Sequence, residues 1–260
     1  KREVFGNLKF REAMSIAINR NELNDVGFFG LGTPQQYIGF SPKPAFIDDK
    51  WMNYMTEYDP AAANARLDEI GMKDTDGDGF RELPSGDKLV LNMNFSTQGI
   101  AGQTVELVSQ YWADVGIQSV VKEVTPDEYR SAQSSNQLDV VMWRKSQPLA
   151  IVLGNNELWV PPFENYFGVR NGMLWAEWVD SEGASGVEPP AYVKELMADL
   201  NAFQSADQAS SEFQVLGENM VKNMVENLLF IGTVNAPAPI YHNNNLKNFT
   251  DIKIELKLDS

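Results

Sequence analysis

Three aspartates alternate along the stretch "DTDGDGF": Asp74, Asp76 and Asp78. Carboxylates at that spacing, followed by Gly79, fill positions one, three, five and six of a calcium-binding EF-hand loop. Position twelve should bring a bidentate glutamate but is Ser85, and Glu82 stands at a different offset. The same residues also make a plain turn, because aspartates bond backbone N–H groups nearby and glycine accepts positive φ. The sequence leaves both readings open. A calcium here would be structural, stapling a surface loop; no other cofactor is expected.

Other reactive residue types are scarce. There is no cysteine, which removes disulfides, thiolate metal sites and thiol nucleophiles. The one histidine, His242, lies in the Asn-rich "PIYHNNNL" beside no nucleophile motif, so a histidine-rich zinc site or a Ser-His-Asp triad is not expected. Glu164 with Glu177 or Asp180 would give a glycosidase-like carboxylate pair beside aromatics. With 36 acidic residues in the chain, however, chance pairs abound. The formal charge of −15 argues against nucleic acid and anionic membrane surfaces as partners, since both need a basic face. No apolar run approaches the ~20 residues that span a bilayer. The opening "KREVFGNLKFREAMSIAINR" enters a helix at once, as expected of a processed or excised chain.

The positioning elements follow from periodicity. Helices are expected over 8–20 (Phe10, Met14, Ala17 and Ile18 inward), 21–29 and, behind the cap-and-proline pair Asp59-Pro60, from 60 to about Ile70. Between the second and third, "GTPQQYIGFSPKPAF" reads as a long, aromatic loop. A strand at 88–95 with Leu89, Leu91 and Met93 on one face precedes a helix at 102–115 striped by Val105, Val108, Trp112 and Val115. A strand at 117–124, a helix opened by "TPDEY" and a strand at 138–143 follow. This β-α-β-α-β order implies neighbouring parallel strands with right-handed crossovers. Ligands of such sheets lie beyond the strands' carboxyl ends, where Met142, Trp143 and Arg144 stand. Residues 144–188 read as a long irregular segment, and four of the six tryptophans fall between 143 and 178. Helices at 190–204 and 209–228, a strand "LFIGTVN" and a final alternating "DIKIELKL" complete one α/β domain over 1–260.

The ordered runs "FREAMSIAINRNEL", "YDPAAANARLDEIGMKDTDGDGF", "QYWADVGIQSVVKEVTPDEY" and "LDVVMW" resemble the family 5 extracytoplasmic solute-binding proteins of ABC importers. The shared pattern comprises Arg11, Ala13 and Ala17 to Arg20; Tyr58 to Gly71; Asp74 to Gly79; and Trp112 to Val120. The likeness is continuous over about 8–143. It implies a periplasmic-binding-protein-like (type II) lobe, a mixed sheet flanked by helices, which closes with an N-terminal lobe on a peptide, nickel complex or oligosaccharide. It further implies no catalysis, an ABC permease as partner, and an extracytoplasmic place for a protein whose upstream part usually carries a lipid-anchoring cysteine.

Peptide-binding members often place an aspartate three residues after the strand-end tryptophan, to pair with the ligand's ammonium. Here Trp143 is followed by Arg144, Lys145 and Ser146, so the resemblance favours an anionic, neutral or carbohydrate-like solute. Sugars favour aromatic platforms beside polar side chains. The expected ligand-facing residues are Met142, Trp143, Arg144 and Ser146, with Trp159 from the Trp-rich segment and Tyr37 and Phe40 at the cleft rim. Trp175 and Trp178 could stack on a sugar or simply pack. A carboxylate hydrolase and a calcium-dependent interaction module are the alternatives of other classes.

Overall fold

The computed structural model describes residues 1–143, 148–154 and 172–236. The chain opens with helices α1 (Arg2–Gly6), α2 (Leu8–Ile16) and α3 (Arg20–Phe28). The Asn7 side chain caps α2 by accepting from the Lys9 N–H, and that of Asn19 caps α3 by accepting from the Glu22 N–H. That second cap is why the expected single helix over 8–20 stops at Ile16 and restarts at Arg20: Asn19 itself has non-helical backbone angles.

A two-residue strand β1 (Thr33–Pro34) and a 3-10 turn at Asp49–Asn53 lead to α4 (Pro60–Glu69). Asp59 caps α4 with a 2.8 Å bond to the Ala62 N–H, and Pro60 sits at its first position, as expected. Then come β2 (Val90–Phe95), α5 (Gly102–Ala113), β3 (Gln118–Glu123) and α6 (Pro126–Ser134). Thr125 and Glu128 form a reciprocal capping box at the start of α6. The remaining elements are α7 (Leu149–Gly154), α8 (Met173–Asp180), α9 (Ala191–Ser205), α10 (Ser211–Glu226) and β4 (Val234–Asn235).

β2 and β3 pair in parallel, with Val90 opposite Gln118 and Phe95 opposite Glu123, and α5 is the crossover. The expected third strand at 138–143 forms no ladder. The Asp139 carboxylate takes the Asn92 N–H that a strand backbone would use, leaving one long Val140 N–H contact to the Asn92 carbonyl. The expected strand "LFIGTVN" shortens to β4, which pairs antiparallel with β1. Among the described residues the α/β class therefore holds, with two small sheets in place of one larger mixed sheet. The segment 144–188, expected to be irregular, contains α7 and α8 where it is described. Helices of six and eight residues are too short to print a clear 3.6-residue period.

Two apolar cores result. The first gathers Phe10, Met14, Leu67, Leu89, Leu91, Met93, Val105, Val108 and Trp112, with the strand face and helix stripe expected from the pattern. The second gathers Ile38, Phe40, Trp51, Val152, Leu196, Phe203, Phe213 and Met220. A polar knot joins them. Arg20, 2% exposed, donates to the carbonyls of Ser15, Thr56 and Gly232 and to Ser15 Oγ. Fully buried Gln36 donates to the Tyr54 carbonyl and accepts from the Gly232 N–H. Arg11 adds a 2.9 Å bond to the Asn227 carbonyl. Burial pulls the Arg20 pKa down to about 10, an effect Glu57 partly opposes.

Candidate functional site

The acidic turn folds as an Asx-bonded loop. Asp74 accepts from the N–H groups of Gly77 and Gly79, Asp76 from that of Asp78, and Asp78 from that of Phe80. Gly77 and Gly79 lie at φ 81° and 90°, the positive-φ positions the turn requires. Glu82, despite its offset from the EF-hand pattern, is brought in as a fourth carboxylate. It is 4% exposed and accepts from Thr75 N–H and Oγ1. One carboxylate oxygen from each of the four lies within 4.8 Å of the others, an all-oxygen set suited to a hard cation such as calcium.

The same turn already faces an internal cation: Lys88 Nζ lies 2.9 Å from Asp76 and 2.6 Å from Asp78. That ammonium, then the Phe80 N–H, holds Asp78 below the usual carboxylate range, and Lys88 is raised in return. A calcium bound through Asp76 and Asp78 must displace Lys88. Arg81 ties the loop to the body, bonding Asp68, Asn64 and the carbonyls of Met72 and Val115.

Beyond the carboxyl ends of β2 and β3 lies an open depression of about 850 Å³. Ser96, Thr97 and Gln98 from the turn after β2 form one side; Glu123, Val124, Thr125, Pro126 and Glu128 form the other. The parallel pair creates it, because both strands point their last residues the same way and the chain turns back on each side. The polar lining comprises the hydroxyls of Ser96, Thr97 and Thr125, the Gln98 amide and the carboxylates of Glu123 and Glu128. Glu128 is committed to the capping box, whose Thr125 N–H and then hydroxyl hold its carboxyl below the usual range. The strand-end rule, taken at β2 and β3 as well as at 138–143, adds Thr97, Gln98, Glu123 and Thr125 to the candidate residues.

Trp143 does reach this end of the sheet, where it is half-buried. Its ring stacks on Tyr129 at 5.4 Å and 23°, and lies so close to Gly99 that a Cβ there would overlap it. Met142 is half-buried against the first core. Phe40, expected at the rim, is 3% exposed and packs edge-on to Phe203 in the second core, out of a solute's reach. Tyr37 packs against Phe230 with ring centroids 4.9 Å apart and planes tilted by 59°, and burial pushes its hydroxyl pKa up. Both face inward because the long loop carrying them covers α9 and α10, which its proline content alone does not reveal. Arg144, Ser146, Trp159, Glu164 and His242 lie outside the described residues. Trp175 and Trp178 are half-buried on α8. Glu177 and Asp180, one turn apart on α8, line neither this depression nor a second of about 500 Å³ around Trp51 and Glu218.

A sequence model of the bacterial extracellular solute-binding proteins, family 5 middle region, matches residues 1–149. The chain belongs to this family. Among curated relatives, the periplasmic alpha-galactoside-binding protein of Rhizobium meliloti (strain 1021) is 24% identical over 260 residues, covering 95% of this chain and 35% of that protein. A probable ABC transporter-binding protein of Deinococcus radiodurans is 29% identical over 110 residues, or 42% of this chain and 18% of that one. Among solved structures, the oligopeptide-binding protein OppA superposes with a TM-score of 0.75 at 29% identity, over 90% of this chain and 38% of its own. MelB of Agrobacterium fabrum C58, solved with stachyose, gives 0.69 at 23% identity, over 91% and 34%; that likeness concerns the fold. This chain thus spans about a third or less of the length of these curated relatives. The type II fold expected from the motifs stands, and the family and these neighbours are binding proteins.

Proposed function

We propose that this chain is one lobe of the substrate-binding component of an ABC importer, and that its solute is a neutral oligosaccharide. The observation that carries the reading is the depression at the ends of β2 and β3, where Ser96, Thr97, Gln98 and Thr125 stand beside Glu123, Val124, Pro126 and Glu128. Side chains that both donate and accept match sugar hydroxyls without requiring a charged ligand. The family match and the alpha-galactoside-binding relative support the same class. A peptide is the second reading, favoured by the Glu123 carboxylate in the lining, which would suit an ammonium. The lobe works by closing against a second lobe, outside the cytoplasm, and delivers its solute to a membrane permease; a lipid anchor on the longer protein fits this role. No catalysis of its own is assigned. Glu164 of the expected carboxylate pair lies outside the described residues, and its partners Glu177 and Asp180 on α8 line neither depression.

Chemical-shift titration of the chain with stachyose and, separately, with tetra-alanine tests the class. Stachyose should move the amides of Thr97, Gln98 and Thr125; shifts with the peptide alone would overturn the sugar reading. Lobe sharing is tested by calorimetry beside the two-lobed protein, which should bind far more tightly. Equal affinities would end the shared-cleft picture.

A further inference from the structure

We infer that Glu123 selects the solute, its carboxylate accepting two adjacent hydroxyls of a neutral sugar and turning anionic sugars away. This rests on the reading of the strand-end depression as the solute-facing side, and narrows that reading to particular groups. Glu123 ends β3 opposite Phe95, and the next N–H, that of Val124, bonds the Phe95 carbonyl at 2.9 Å. The last link of the parallel pair therefore sets Glu123 on one side of the depression and Ser96, Thr97 and Gln98 on the other.

Most other polar groups of the lining are engaged within the protein. Ser96 is 2% exposed, and its hydroxyl accepts from the Gln98 N–H at 3.4 Å. Thr125 Oγ1 donates to Glu128 at 2.8 Å and accepts from the Glu128 N–H, and the same carboxylate takes the Thr125 N–H. Gln98 Oε1 accepts from Arg130 at 3.3 Å, and Arg130 also reaches Asp127. Glu123 differs. It is exposed in the lining, and its carboxylate meets no donor or cation among the described residues. The exposed Thr97 hydroxyl across the depression is uncommitted in the same sense.

That pair of open groups fixes what fits. An ionised carboxylate only accepts, so whatever meets Glu123 must donate. Two adjacent hydroxyls of a pyranose ring bring two O–H donors to its two oxygens, and such charge-assisted bonds are stronger than neutral ones. The sugar oxygens still accept, which the Thr97 O–H answers; an ammonium has no acceptor to offer that group. A sugar acid would set its own charge against Glu123 in a depression that also holds Glu128. Like charges brought together in this way reject one solute as the hydrogen bonds admit another.

The test titrates the chain, Glu123→Gln and Thr97→Val with stachyose and with trigalacturonate, read by chemical shift, and melts each protein. Glu123→Gln should weaken stachyose binding about tenfold, as expected for losing hydrogen bonds to a charged group, and Thr97→Val about threefold. Trigalacturonate should bind the parent chain more weakly than stachyose does, and Glu123→Gln should narrow that preference. The melting temperature of Glu123→Gln should match the parent, since its carboxylate serves no internal partner. Unchanged stachyose affinity in Glu123→Gln, with the Thr97, Gln98 and Thr125 amides still shifting, overturns the selector and leaves the proposed function standing. A lower melting temperature for Glu123→Gln also overturns it, by making Glu123 a structural residue. No stachyose shift in the parent chain removes the sugar reading and the selector together.

Discussion

Replacing Arg20 with methionine probes what holds the two cores together. Arg20 makes four hydrogen bonds, of 2.8, 2.9, 2.9 and 3.3 Å, to acceptors from three chain segments: Ser15, Thr56 and Gly232. At about 1.5 kcal/mol for each bond to a charged donor, the gross contribution is about 6 kcal/mol. Against this stands the cost of burying the charge. A pKa lowered from 12.5 to about 10 corresponds to about 3 kcal/mol. The net loss for Arg20→Met is therefore about 3 kcal/mol, softened because the Ser15 carbonyl keeps the Ile18 N–H. With a urea dependence of about 3 kcal/mol per molar, the unfolding midpoint should fall by about 1 M. Arg20→Lys should recover less than half of that, since a single nitrogen cannot reach the acceptors that Nε, Nη1 and Nη2 meet separately. The cores should also uncouple: tryptophan fluorescence, reporting Trp112 and Trp51 in different cores, and far-UV circular dichroism should cease to coincide. An Arg20→Met midpoint within experimental error of the parent, with both probes coincident, would refute the argument that this knot joins the cores.

Further outcomes follow from individual contacts. Gly99→Ala should destabilise by about 2 kcal/mol and alter the Trp143 emission, because the new methyl group overlaps that ring; normal stability would show that the ring can move aside. Calcium should raise the melting temperature of Lys88→Met more than that of the parent chain, with chelator reversing the gain. Equal responses would exclude Lys88 as the competing cation. Asp78 is held below the usual carboxylate range, so the unfolded chain takes up its proton first on acidification. Its stabilisation is complete above the ordinary carboxylate pKa and drains away as pH falls through the lowered value. Melting from pH 6 to pH 2 should therefore fall less steeply for Lys88→Met; identical slopes would remove the pair from the account. Chromogenic alpha-galactosides should not be turned over by the chain, and measurable hydrolysis lost in Glu177→Gln would reinstate an enzyme.

Much of this protein was determined locally. Asp59-Pro60 capped a helix, Asp74 to Gly79 made a turn, and Leu89, Leu91 and Met93 buried one strand face, because each depends on neighbours within a few residues. The motif order was enough to place the chain in its family. Distant partners decided the rest. The Asp139 side chain took a ladder hydrogen bond and ended the third strand. Phe40 and Tyr37 turned inward because α9, α10 and Phe230 stood ready to cover them. Glu82 and Lys88 converged on the acidic turn through an antiparallel bridge between those two residues. Trp143 was taken up by Tyr129 and Tyr37 by Phe230, and no local pattern reports which aromatic will find a neighbour. Burial and pairing are set by surfaces that meet only when the whole chain folds.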